Sequence, residues 1–328
     1  MIVVLKWAAM ATLFGILTFF TVFGIDFNTH VSLKEWISPV KVQHEPLVCF
    51  NNDTSPTIIK KNGIVPSVPV VEEFTCYDFA STLKSSIKQH QQHKTLFHTY
   101  WDSKVLTDKH IDTIRSFLAT QDLDHSQLVI WTLDKAVLEQ QIPKDEHIII
   151  HDAASLVDAI PIKSNSKDWI QLTSLYKYGG VWFDMEVLFI RDMSPLLTQE
   201  WITEGGCKTK DFFNGIFVHF FKNSRYLCEV MHQFKQERSL AQAYQHTYHQ
   251  LLENRIEPWS ILPWCYTDPS NCQRSNSLPS AFQSNVDFSK SNLQKVFAYH
   301  YHSSLWNAKP GTLYKYLVNQ HKNKISWF

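Results

Sequence analysis

Asp184 and Glu186 are the residues of this chain whose type and spacing point most directly to chemistry. They follow a short apolar run, Val181-Trp182-Phe183, and stand two positions apart, so strand alternation turns both carboxylates to one side. Two carboxylates on one side repel, and one is driven neutral unless a cation sits between them. Oxygen donors of this kind, with phosphate, are what Mg2+ or Mn2+ takes when it grips a diphosphate. A lone D-x-E is also an ordinary charged strand end. What lifts this one is its setting: an apolar helix face (Trp169, Leu172, Leu175, Tyr176), a glycine pair able to end that helix, then an aromatic strand.

The elements that must position these acids can be read upstream. The apolar runs at 95–100 (TLFHTY), 127–133 (QLVIWTL) and 147–151 (HIIIH) predict strands. Between them, 110–120 and 135–141 carry helical spacing, and 167–178 predicts a further helix ahead of strand 181–183. Strand and helix in alternation imply an α/β fold with a mostly parallel sheet covered on both faces, which binds ligands at the carboxyl ends of its strands.

Composition narrows the class. Lys plus Arg equal Asp plus Glu at 31 each, which argues against a nucleic-acid partner. Residues 7–25 carry no charge, and at about 1.5 Å per residue a helix there spans roughly 28 Å, the thickness of a bilayer core. This predicts an uncleaved signal anchor, a single-pass type II arrangement, with 1–6 as a cytoplasmic tail; a cleaved signal peptide is the competing reading. Residues 26–93 read as a polar, proline-scattered stem, with a short helix or tether at 81–93, and 94–328 as the catalytic domain. All six cysteines follow the apolar run, as expected of disulfides in an oxidising lumen. Nearness in sequence suggests pairing Cys265 with Cys272, Cys207 with Cys228 and Cys49 with Cys76. Asn52-Asp53-Thr54 is a glycosylation acceptor on the same side.

The segment SLYKYGGVWFDMEVLFIRDMSPLL (174–197) resembles the DXD-containing glycosyltransferases of family thirty-two and their fungal relatives. FHTYWD (97–102), IRSFLATQDLDHSQLVIW (114–131), FFNGIFVHF (212–220) and VFAYHYHSSLW (296–306) are similar to further blocks of that group, in order. The resemblance implies a GT-A-like nucleotide-binding sheet, a Mn2+ or Mg2+ ion on Asp184 and Glu186, a UDP- or GDP-sugar donor, and transfer, with retention, to a glycan or glycolipid in the Golgi. It also implies that Phe97, His98 and Thr99 border the nucleotide and that Asp168 approaches the donor sugar. His300 or His302 would complete the metal shell, and Asn214, Gly215, Trp182 and Gly180 would line the substrate site. Three departures stand out: the motif is D-x-E, an expected serine is Lys167, and an expected arginine is Gln171, with Lys167, Lys177 or Arg191 as replacements for its charge. They leave room for a catalytically inactive, glycan-binding relative. A lumenal metal hydrolase is a third reading, but the motif offers no water-activating base.

Overall fold

The computed structural model describes residues 47–50, 76–84, 94–102, 105–157, 167–205, 213–237, 239–254, 256–270, 277–284, 287–302 and 309–325, with the side chain of Asn214 outside this set. All belong to one compact unit, 44–328. The predicted anchor at 7–25, most of the stem, Asn52, Cys207 and Cys272 lie outside the described residues. Among those described, no helix is long and apolar enough to cross a membrane.

In chain order the elements are α1 (Cys76–Thr82), β1 (Thr95–Tyr100), α2 (Asp108–Thr120), β2 (Ser126–Thr132), α3 (Lys135–Glu139), β3 (Ile148–Asp152), α4 (Ala154–Val157), α5 (Lys167–Tyr178), β4 (Gly180–Phe183) and β5 (Val187–Phe189). After them come β6 (Trp201–Glu204), β7 (Phe213–Phe220), α6 (Arg225–Phe234), α7 (Leu240–Glu253), β8 (Ser260–Leu262), α8 (Trp264–Thr267), α9 (Lys290–Lys295), β9 (Ala298–His300) and α10 (Leu313–Lys324). The main sheet runs β3-β2-β1-β4-β7-β6-β8, and β5 pairs with β9 in a small second sheet. Strands β1 to β4 are mutually parallel; β7 is antiparallel to both β4 and β6, and β8 is parallel to β6. This is the mixed, mostly parallel α/β sheet expected.

Each sheet face carries its own core, and alternation along β4 assigns the side chains. Val181 and Phe183 join the cluster of Phe97, Phe117, Phe189 and Phe217, while Trp182 joins Trp131, Leu172 and Leu175 on the opposite face. Phe183 stands edge-on to Phe189 at 4.9 Å between ring centroids, the arrangement favoured by aromatic quadrupoles.

The folded body begins before residue 94. Tyr77 of α1 is fully buried, and two disulfides, Cys49–Cys228 and Cys76–Cys265, bridge sequence separations of 179 and 189. All three pairings suggested by sequence nearness are therefore wrong. Nearness in the chain says little where an early segment packs against late helices, and Cα separations of 6.1 and 6.2 Å are what permit these bonds.

The helix α5 ends where sequence places its end. The Gly179 N–H closes onto Leu175 O at 2.8 Å, with Gly179 at φ 71°. Gly180 has φ 108°, and a Cβ built on it would lie 2.1 Å from Leu96 O. No other residue lets β4 approach β1 this closely. Gly180→Ala is expected to cost on the order of 3 kcal/mol or more, since strained φ and backbone overlap act together. Urea unfolding measures it; stability within 1 kcal/mol (roughly, by the same scale) of the parent would remove this account of the β1–β4 contact.

Candidate active site

The chain builds β1, β2 and β3 outward in one direction, then returns through α5 to lay β4 on the other side of β1. Such a reversal opens a crevice beyond the carboxyl ends of the two central strands. Asp184-Met185-Glu186 is the turn that leaves β4 at that end, before β5 begins. The acids are thus on a turn and not on a continuous strand, as alternation had predicted. Met185 between them is buried, and its carbonyl accepts hydrogen bonds from Thr113 Oγ1 and Tyr301 OH, each at 3.0 Å. The Tyr301 N–H donates to Glu186 O at 3.0 Å. Helix α2 and the segment after β9 therefore fix the turn from both sides.

Each acid has its own cation. Lys167 Nζ lies 2.6 Å from Asp184 Oδ2, and Lys109 Nζ lies 2.9 Å from Glu186 Oε1. Trp182 Nε1 donates to Asp184 Oδ1 at 3.3 Å. Asp168, in the first turn of α5, is partly buried, and burial raises its pKa above the ordinary carboxylate value; Lys167 opposes the rise and Asp184 adds to it. Three carboxylates and two lysines therefore share this corner. Its oxygen donors fit a hard divalent ion.

Gln171 stands where an arginine was expected and is buried, its amide donating to Gly215 O and Tyr244 OH at 3.2 Å each. It is a packing residue. Of the proposed replacements for its charge, only Lys167 reaches the acids. Lys177 belongs to the far end of α5, and Arg191 donates to Ala80 O and Leu83 O with its guanidinium 3.7 Å from the Phe297 ring centroid.

Several residues expected to contact ligands are sealed instead. Phe97 is fully buried among Phe117 and Phe189, and Thr99 is 1 % exposed. His98 is fully buried with both ring nitrogens engaged. Trp131 Nε1 can only donate, so His98 Nδ1 accepts from it at 3.2 Å and Nε2 carries the hydrogen given to Gly179 O at 2.9 Å. β1 is a central strand covered on both faces, which leaves these side chains no open side. Gly180 starts β4, at the end away from the acids, and is filled by Leu96; Trp182 is fully buried and acts by holding Asp184. Gly215 is half-buried on β7, and the Asn214 side chain lies outside the described residues.

The late histidines do come to this corner, through the β5–β9 ladder that pairs Val187 with His300. Their partner is a residue sequence reasoning missed: Asp268, at the end of α8. His302 Nε2 lies 2.7 Å from each Asp268 oxygen, and His300 Nδ1 lies 3.7 Å from Oδ2. Burial alone would lift the Asp268 pKa, but His300 and then His302, through hydrogen bonding and charge, hold it below the ordinary carboxylate value. His302 is raised by the same contact. Nothing in local sequence marks Asp268, since it meets the histidines only through folding. Lys109 was missed for the same reason. A literal D-x-D, Asp122-Leu123-Asp124, sits before β2 at the opposite end of the strands, where Asp122 Oδ1 caps the Asp124 N–H at 3.1 Å. Position on the sheet, not the pattern, separates the two motifs.

Residues 78–203 match the family model described as "Glycosyltransferase sugar-binding region containing DXD motif", a span that includes the D-x-E turn and both lysines. Over that span the chain carries a DXD-type glycosyltransferase region. No curated protein matches the chain by sequence. Among solved structures it is similar to PaToxG glycosyltransferase (13 % identity, 49 % of this chain and 71 % of that one, TM-score 0.38). It is also similar to the bifunctional WbbM (10 %, 73 % and 51 %, TM-score 0.44) and to GlyE of Streptococcus pneumoniae (11 %, 53 % and 46 %, TM-score 0.36). The chain thus spans about half the length of the latter two.

The buried imidazoles give a pH signature. Burial brings the pKa of His98 and His219 down to about 4, from the ordinary imidazole value of 6.5. Both stay neutral when folded, so their stabilisation is complete above pH 6.5 and declines as pH falls toward 4. At about 1.4 kcal/mol per pH unit and histidine, lowering pH from about 7 to 5 should cost on the order of 2 kcal/mol for each. Urea unfolding at the two pH values reads this; a flat profile would contradict neutral burial.

Proposed function

We propose that the enzyme transfers a sugar from a UDP- or GDP-sugar to a glycan or glycolipid acceptor in the Golgi lumen. The observation that carries this reading is the placement of Asp184 and Glu186, flanked by Lys167 and Lys109, at the switch-point crevice of a chain whose residues 78–203 match the DXD region. In this reading the two acids hold Mn2+ or Mg2+, which supplies Lewis-acid stabilisation to the diphosphate leaving group. Lys167 and Lys109 add the positive charge that Gln171 does not provide, and preorganised charge of this kind stabilises a departing diphosphate. Asp168 faces the donor sugar. Two disulfides support an oxidising compartment, and the apolar run 7–25 supports a type II anchor. Kinship with family thirty-two and retention of configuration belong to the same proposal.

A second reading is favoured by one observation: both acids are already neutralised by ammonium groups, as in an inactive relative that binds glycans without turning over a donor. Release of free nucleotide from a panel of UDP- and GDP-sugars with Mn2+ separates the two. The enzyme reading expects metal-dependent release, reduced about 100-fold or more in Asp184→Asn, the range seen when one charge-stabilising group is removed. Nucleotide binding without release selects the binding protein. Absence of both rules out the nucleotide-sugar site.

A further inference from the structure

A cavity of about 640 Å3 lies between α5 and α6, beneath residues 47–50, and is of ligand-site size. It is no part of the acidic corner: the turn that carries Lys222 and Asn223 follows Phe220, which pairs with Gly180 at the start of β4, the end away from the acids. We infer that this cavity binds a single-chain anionic amphiphile, with a phosphate head on Lys177 and Lys222 and an alkyl chain in the groove between the helices.

The two helices run antiparallel. The Asn223 N–H, just before α6, donates to Tyr176 O near the end of α5 at 2.8 Å. Trp169, near the start of α5, packs on Phe234 at the end of α6 with ring centroids 5.0 Å apart. Helical spacing turns Thr173, Tyr176 and Lys177 to one face of α5, and Cys228, Met231 and Lys235 to one face of α6. The roof is fixed: Cys49 is joined to Cys228, and Glu229 Oε2 accepts from the Val48 and Cys49 N–H groups at 2.9 Å each. Apolar surface is left uncovered inside it. Val48 is 56 % exposed, and Tyr176 and Met231 are only half-buried. Thr173 lines the cavity at 5 % exposure, and its hydroxyl has no hydrogen-bond partner. A buried hydroxyl left unpaired is costly, and an ester or glycerol oxygen of a ligand would satisfy it.

Charge identifies the head. Among the described residues no carboxylate lines the cavity, and Lys177, Lys222 and Lys235 are exposed with no ion-pair partner. Lys109 and Lys167, by contrast, each hold an acid. A lysine at a helix C-terminus complements the dipole, which accounts for Lys177 on α5 and Lys235 on α6. Lys222 stands just ahead of the α6 N-terminus, where the dipole disfavours a cation, so its counter-charge must come from elsewhere. Lys222 is also fixed beside Lys177. A Cβ built on Gly179 would lie 2.5 Å from Lys222 N, so the Lys222 backbone rests on the end of α5. Two ammonium groups at one end of an apolar groove suit a phosphate, whose charge and oxygens can engage both.

Photolabelling of the full-length protein in phosphatidylcholine nanodiscs with a diazirine-bearing lysophosphatidic acid tests this, the labelled peptides being mapped. Label is expected on 47–50, 173–177 and 228–235. Unlabelled lysophosphatidic acid should compete, whereas lysophosphatidylcholine and inorganic phosphate, which lack the net charge or the chain, should not. Changing Lys177→Gln and Lys222→Gln together should cut labelling about tenfold or more, since two contacts to a charged head are lost. Both lysines are exposed, so this variant is suited to fold, and Asp184→Asn should label as the parent does. Phosphatidic acid built into the nanodisc separates the sources: competition from it assigns a bilayer lipid, and competition from the free lysolipid alone assigns a soluble amphiphile. Label confined to other peptides, or unchanged by the lysine pair, would overturn the site. Equal competition by inorganic phosphate would overturn the amphiphile. None of these results depends on nucleotide release, so this inference and the proposed activity fail separately.

Discussion

The close approach of β1 and β4 is the constraint on which the site depends. It exists because Gly180 has no Cβ where Leu96 O must lie, and because Gly179 turns the chain sharply out of α5. With β4 laid against β1, the reversal in strand order falls between them, and the turn that leaves β4 enters the crevice. A wider contact would shift Asp184 with respect to α5 and break its 2.6 Å pairing with Lys167. The chemistry is thus located by a steric absence at Gly180, four residues before Asp184 and six before Glu186.

Beneath the turn lies a rigid aromatic floor. Phe183, Phe189 and Phe217 pack edge-to-face or stacked between 4.9 and 6.3 Å, and Phe97 and Phe117 extend the cluster. Hydrogen bonds from Thr113 and Tyr301 to the Met185 carbonyl then close the turn from above. The partners come from α2 and from the segment after β9, far apart in sequence. Folding must therefore be nearly complete before the acids are placed. The two disulfides act in the same sense, since each joins an early segment to a late helix.

Much of this was legible in sequence where the signal is local. The helix over 167–178, the glycine stop and the strand that follows are set by apolar spacing and by backbone freedom, both visible in a short window. The acids were found because charged residues directly after a buried strand are conspicuous. What sequence did not give is whatever depends on partners across the fold. His98 lies on the strand beside the motif and looked available to a nucleotide, but its two nitrogens are satisfied by Trp131 and Gly179. The cysteine pairings failed because chain distance is a poor guide in a domain whose first and last segments are neighbours. Lys109 and Asp268 carry no local mark at all.

The electrostatics of the corner set a condition that any account of activity must meet. Asp184 and Glu186 are not bare carboxylates waiting for an ion; each is already compensated by an ammonium within 3 Å. A dication can enter only if those contacts give way, and exposed pairs are weak enough to do so, worth about 1 kcal/mol or less. Both pairs are partly exposed, Lys167 at 46 % and Glu186 at 42 %. A diphosphate brings its own negative charge, so lysines displaced from the acids by a metal would find new partners on the ligand itself. Metal and nucleotide would then be taken up as one neutralised unit, and the lysines would be as much a part of the site as the acids.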